Sequence, residues 1–183
     1  MIPFVKKYII TGAPGTGKTT LINALEKEHP CMHEVSRKVI TMEQKNSGNG
    51  TPWHDLGRFT ELVYTAFIAE LDANPHAVFT DRSLLDLIAY LQVAGKSIPS
   101  SIDRFPYHDK FSQKVFFAPT WQDIYHKDQQ RQQPFDYCIE LEKALLKTHG
   151  EKGFDIIQLP KDTVKRRVNF VRKIVKSAGT TNN

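Results

Sequence analysis

The chain has 183 residues, 40% of them hydrophobic, enough for one globular domain with a sizeable core and too few for a second. No apolar run is long enough to cross a bilayer, and no small-residue cleavage site follows the opening "MIPFVKKYIITG", so a cytoplasmic protein with no membrane partner is expected. The formal charge of +5 is concentrated: residues 161–176 hold seven Lys or Arg against one Asp, leaving 18 basic and 19 acidic residues elsewhere.

Short β-rich runs alternate with helical patterns from end to end, the signature of a parallel sheet wrapped by helices. Strands are expected at residues 7–11, 31–35, 77–81, 114–118 and 155–159, and helices after Gly17, Ser36, Asp55, Ser83, Gln133 and Asp162. The fold class is therefore α/β, with a five-stranded parallel sheet carrying helices on both faces in one domain over residues 1–183.

Directly after the first expected strand, Gly12, Ala13, Pro14, Gly15, Thr16, Gly17, Lys18 and Thr19 fill the pattern G-x-x-x-x-G-K-[ST], and a helix with Leu21, Ile22 and Leu25 on its inner face follows. Glycines let the backbone curl until successive N–H groups point inward, and the helix presents unpaired N–H groups to the same anion. Lys18 should reach the β- and γ-phosphates of ATP, and the Thr19 hydroxyl should bind Mg²⁺. The adjoining Thr20 borders this nucleotide cradle and is expected to cap or pack rather than coordinate.

The second strand leads into "HEVSRKVI", where Glu34 and Arg37 flank a strand-to-helix turn. Glu34 can accept the proton of an acceptor hydroxyl as general base, and Arg37 can bind the acceptor's charged group or hold Glu34 ionised; a structural ion pair is the alternative. His33 should point to the opposite face and pack. Residues 43–53, "EQKNSGNGTPW", are expected to form a mobile loop. The helix after Asp55 carries Leu56, Phe59, Leu62, Val63, Phe67 and Leu71 on one side, a face expected to be core rather than a binding site.

The third strand ends "AVFTDR". Asp81 can hold Mg²⁺ or orient an acceptor hydroxyl, and Arg82 can bind acceptor or transferring phosphate oxygens. Alternatively Asp81 caps the next helix, although Ser83 is already a competent cap. Hydrolytic motors usually place a second acid where Arg82 stands. The motifs D-x-x-G, N-K-x-D and L-S-G-G-Q are absent, which argues against a Ras-like GTPase and a transporter ATPase.

After the fourth strand, residues 120–133, "TWQDIYHKDQQRQQ", are expected to form a lid in which Arg131 swings over the triphosphate and excludes water. Asp128 and Arg131 can equally be a helix-surface pair. Trp121 and Tyr125 either stack on a planar acceptor or anchor the lid. The nucleobase contact is expected around residues 160–163. In the final basic stretch Val164, Val168, Val171 and Val175 recur at helical spacing, so the charges are expected on a solvated face, which argues against nucleic acid as a partner. Cys31 and Cys138 match no metal spacing and are expected to be reduced and buried.

Taken in order, residues 12–19, the Glu34 and Arg37 turn, the Asp81–Arg82 pair and "FAPTWQDIYHKDQQR" resemble the small predicted-ATPase (AAA-domain-like) family of P-loop NTPases, related to nicotinamide riboside kinases and more distantly to nucleoside and nucleotide kinases. The resemblance spans roughly residues 5–175. It implies a three-layer, nucleoside-kinase-like sheet, ATP with Mg²⁺, a lid after strand four, Glu34 as base or hydroxyl ligand, and Asp81 as the acid after strand three. The single lid arginine departs from many nucleotide kinases. Two activities follow as expectations: a kinase for a small hydroxyl acceptor, or a nucleotide-hydrolysing switch, on ATP or GTP, acting through a protein partner.

Overall fold

The computed structural model describes residues 6–125 and 134–179. Five strands, β1 (Lys7–Thr11), β2 (Cys31–Met32), β3 (Phe79–Asp81), β4 (Phe111–Phe117) and β5 (Asp155–Gln158), form one sheet in the order β2-β3-β1-β4-β5, and every pairing is parallel. The helices are α1 (Lys18–Leu25), α2 (Val35–Lys45), α3 (Leu56–Ala73), α4 (Leu84–Val93), α5 (Ser100–Asp103), α6 (Tyr107–Lys110), α7 (Phe135–Glu151) and α8 (Val164–Gly179).

Alternation along β1 divides the core. Ile9 packs with Val35, Phe67, Leu84 and Val115, on the face covered by α2, α3 and α4, while its neighbour Ile10 packs with Leu21, Ile22, Phe116 and Val171, on the face covered by α1 and α8. Leu141 and Leu145 of α7 join α4 over Phe117. Helices thus cover both faces of the sheet, and its strands β1 and β3 are almost wholly buried, as in other parallel sheets. Cys31 and Cys138 are both buried. No helix among the described residues is long and apolar enough to cross a membrane.

All five expected strands and all six expected helices are present, with differences at their ends. Strand β2 stops at Met32, because His33 turns outward to Glu26 (Nε2 to Oε1, 2.8 Å) and Glu34 already caps α2. The short helices α5 and α6 follow Pro99 and Pro106 and are too brief to show a helical period in sequence. Residues 43–45, expected in the polar loop, continue α2. Glu43 is buried, accepts the Gly50 N–H at 2.8 Å and has Arg58 Nε at 3.6 Å, so the chain after α2 is tied back to it.

The order of the strands reverses at β1, so the loop after it opens at the carboxyl edge, between β3 and β4, where such sheets bind ligands. That loop starts at Gly12, whose φ is +143 and whose backbone lies against the end of β4. A Cβ there would stand 2.2 Å from the Ala118 carbonyl oxygen. Gly12→Ala should therefore cost about 3 kcal/mol, since a backbone clash cannot be relieved by a rotamer change. Urea unfolding measures this, and a loss under about 1 kcal/mol would mean that the ends of β1 and β4 part easily.

Candidate functional site

Residues 12–19 form a closed loop between β1 and α1. Thr16 Oγ1 donates to the Ala13 carbonyl at 3.0 Å, and the Lys18 ammonium folds back onto the same carbonyl at 2.7 Å. Gly17, with φ +76, caps α1 without any side-chain hydrogen bond, so the first N–H groups of the helix stay available to an anion. Lys18 is buried, and burial together with the nearby Arg82 charge pulls its pKa down to about 7.

Thr19 Oγ1 lies 3.4 Å from Asp81 Oδ2, and Asp81 Oδ1 is buried without any hydrogen-bond partner. Burial and the Glu34 charge push Asp81 up to about 6. A carboxylate with one oxygen left without donors and the other beside a hydroxyl, on the cavity that the phosphate loop also lines, fits a hard divalent cation such as Mg²⁺.

Arg82 follows at φ +71, a left-handed conformation rare outside glycine. Its guanidinium makes three bonds: Nε donates to Glu34 Oε1 at 2.9 Å, and Nη1 donates to Asp86 Oδ1 at 2.8 Å and to the Gly12 carbonyl at 3.1 Å. Glu34 also accepts from Ser36 Oγ at 2.7 Å and from Arg37 Nε at 3.1 Å. Burial opposes the Glu34 charge, but Arg82, Lys18, Ser36 and Arg37 outweigh it and hold the carboxyl down to about 2. Asp86 in turn accepts from Thr11 Oγ1 at 2.6 Å and closes a capping box with Ser83. Ser83, and not Asp81, is the cap of α4.

These groups line one cavity of about 580 Å³. At one end lie the phosphate loop, Ile124, Asp162, Thr163 and Arg167; at the other the wall is largely apolar, built from Ile40, Trp53, Phe59, Val63, Phe67 and Tyr90. Glu34 and Arg37 stand among its lining residues, as does Trp121, whose Nε1 donates to Asp123 at 3.1 Å. Asp128 and Arg131 lie outside the described residues.

Residues 7–167 match the family model described as AAA domain. The chain belongs to the AAA domain family. This AAA domain is a P-loop NTPase with the fold of nucleoside and nucleotide kinases. Among solved structures it is similar to thymidylate kinase from Candida albicans (TM-score 0.62, 12% identity, 95% of this chain and 92% of that one). It is similar also to deoxyadenosine kinase from M. mycoides (0.60, 15%, 94% and 99%). Against the NadR protein in complex with NR, it covers 95% of its own length but 50% of the other chain (TM-score 0.65, 16% identity). No curated protein matches it in sequence. At such identities the likeness concerns the fold.

Three features of the AAA domain depart from expectation or were missed. The apolar face of α3, expected to be core alone, also forms the cavity wall through Phe59, Val63 and Phe67. Arg167, expected on the solvated face of α8, is 3% exposed and reaches the phosphate loop. Asp86 was overlooked although S-x-x-D, residues 83–86, spells a capping box. Because Asp86 is one of two carboxylates on a buried guanidinium, Asp86→Ala should destabilise the AAA domain by about 3–5 kcal/mol in chemical denaturation. A loss below about 1 kcal/mol would show that Glu34 alone suffices for Arg82.

Proposed function

We propose that this protein is a kinase that transfers the γ-phosphoryl group of Mg-ATP to a hydroxyl of a small, nucleoside-like acceptor with a flat apolar body. The observation that carries this reading is the placement of the Glu34 carboxylate at the join between a phosphate cradle and an aromatic-walled space. A hydrolytic switch needs room for water beside the γ-phosphate and has no use for an apolar chamber lined by Phe59, Phe67 and Tyr90. The folds of thymidylate and deoxyadenosine kinases are consistent with the same chemistry.

Mg²⁺ held through Thr19 Oγ1 and Asp81 would neutralise charge on the phosphates. Lys18 leaves the Ala13 carbonyl for the β- and γ-phosphate oxygens, and the uncapped N-terminus of α1 receives the rest of the triphosphate. With its carboxyl held down to about 2, Glu34 is a weak proton acceptor at neutral pH but a reliably ionised one. Its main task is then to accept a hydrogen bond from the acceptor hydroxyl and aim that oxygen at phosphorus, taking the proton late. A loose phosphoryl-transfer transition state asks little more of a base. Oε2 bears only the Arg37 bond and has a free lone pair for this.

Arg82 holds Glu34 in place, and Arg37 and Trp121 border the acceptor space. For Arg131, which lies outside the described residues, we propose the role its sequence position suggests, a positive charge for the transferring phosphoryl. A mass-spectrometric screen with Mg²⁺ and ATP or GTP against nucleosides, nucleotides and pyridine nucleosides should find one acceptor that gains a phosphate. Lys18→Ala should abolish the product, and Glu34→Gln should lower kcat by about 10²–10⁴ while leaving nucleotide affinity near that of the wild type. Lys18-dependent loss of nucleotide with no phosphorylated acceptor would reject the kinase and favour the switch.

A further inference from the structure

Arg167 sits in the first turn of α8, in the most basic stretch of the chain, yet it is 3% exposed. Its Nη1 donates to the Thr16 carbonyl at 3.0 Å, and its Nε is buried with no hydrogen-bond partner. No described Asp or Glu forms an ion pair with it. The nearest acid in sequence that also lines the cavity, Asp162, is occupied: it accepts from Arg166 Nη1 at 2.9 Å and from the Thr163 N–H at 2.6 Å. Arg166 and Arg172 of the same helix are paired with Asp162 and Glu28. Arg167 is therefore a cation withdrawn from water against a carbonyl dipole, with no opposite charge from the described residues.

Burying a charge unpaired is costly, and a guanidinium cannot escape the cost by losing its proton. Such a group persists where a ligand supplies the missing anion. Its location identifies the ligand. A Cβ placed on Gly17 would meet Arg167 Nη1 at 2.8 Å, so the guanidinium stands beside the residue that opens the uncapped N-terminus of α1. Phosphates are drawn to that terminus by its free N–H groups and its dipole.

We infer that Arg167 is a nucleotide-binding residue whose guanidinium pairs with the phosphate chain of the nucleoside triphosphate on the loop at residues 12–19. The pairing holds whether the terminal phosphoryl goes to an acceptor or to water, so it stands apart from the kinase reading. Arg167 touches the nucleotide and holds Thr16 at once, which couples the position of α8 to the shape of the phosphate loop.

The two roles separate in a pair of variants of the full chain. Arg167→Gln removes the charge and, two bonds shorter, also gives up the Thr16 carbonyl; Arg167→Lys keeps the charge, so a loss seen in the first and not in the second belongs to the charge. Calorimetric titration with ATP, ADP and adenosine, in Mg²⁺, should show Arg167→Gln weakening ATP and ADP by about 30-fold or more and adenosine by less than about twofold. Arg167→Lys should stay within about tenfold of the wild type for ATP. Without ligand, Arg167→Gln should melt at the wild-type temperature or above it, while the rise in Tm produced by ATP shrinks. Wild-type affinity for ATP in Arg167→Gln would overturn the inference. So would equal losses for ATP and adenosine, or a lowered ligand-free Tm with the ATP-induced rise intact. If Arg167→Gln does not fold, loss of ATP binding in a folded Arg167→Lys as severe as that in Lys18→Ala overturns it too, whereas retention upholds the charge.

Discussion

The guanidinium of Arg82 lies buried between Glu34, at 2.9 Å, and Asp86, at 2.8 Å, with the Gly12 carbonyl at 3.1 Å, and through it four segments of chain meet at one point. It reaches from the end of β3 to the cap of α2, the first turn of α4 and the end of β1. A lone charge of either sign there would be expensive, and two carboxylates about a fork-shaped cation satisfy one another. The left-handed backbone at Arg82, φ +71, is a strain of about 1–3 kcal/mol that persists because these bonds over-determine it. Neither acid is interchangeable: Asp86 anchors the cation to the scaffold, and Glu34 is what the cation presents to the cavity.

From that anchor the cavity divides by chemistry. Toward α1 and α8 it offers N–H groups, an ammonium and a guanidinium, all suited to anionic oxygen. Toward α3 and α4 it offers rings and branched apolar side chains. The carboxylates of Glu34 and Asp81 stand where the two environments meet, and their neighbours drive them in opposite directions. Glu34 is held down to about 2 by cations on both of its oxygens, whereas Asp81, with its Oδ1 unpartnered, is pushed up to about 6. Two acids of the same cleft are thus driven to different proton affinities by environment alone.

Much of this is readable from residue order. Glycines at 12, 15 and 17 followed by Lys18 announce the phosphate loop, and short apolar runs between amphipathic stretches announce the parallel sheet. The turns after strands two and three bring Glu34, Asp81 and Arg82 into one cavity because parallel strands end on the same edge. The apolar stripe of α3 is legible as a buried face, but periodicity says which side is inward and nothing of whether a neighbour or a void lies opposite; Phe59 and Phe67 have both. Arg167 is illegible for a sharper reason. In "KRRV" three cations precede Val168, and the few tens of degrees of helix rotation that decide which one turns inward come from packing of Val168 and Val171 on the sheet.

The Arg167 to Thr16 hydrogen bond joins residues 151 positions apart, nearly the two ends of the described chain. Within this domain the phosphate loop precedes all strands but β1, and the helix that reaches it, α8, follows all five. A contact of such separation bears a large loop-closure entropy and is made only once the intervening sheet has assembled. The G-x-x-x-x-G-K-[ST] segment therefore reaches its final surroundings only when the domain folds as a whole. Any ligand that touches both the loop and Arg167 would draw the chain toward its native state by mass action, since the unfolded chain does not hold the two together.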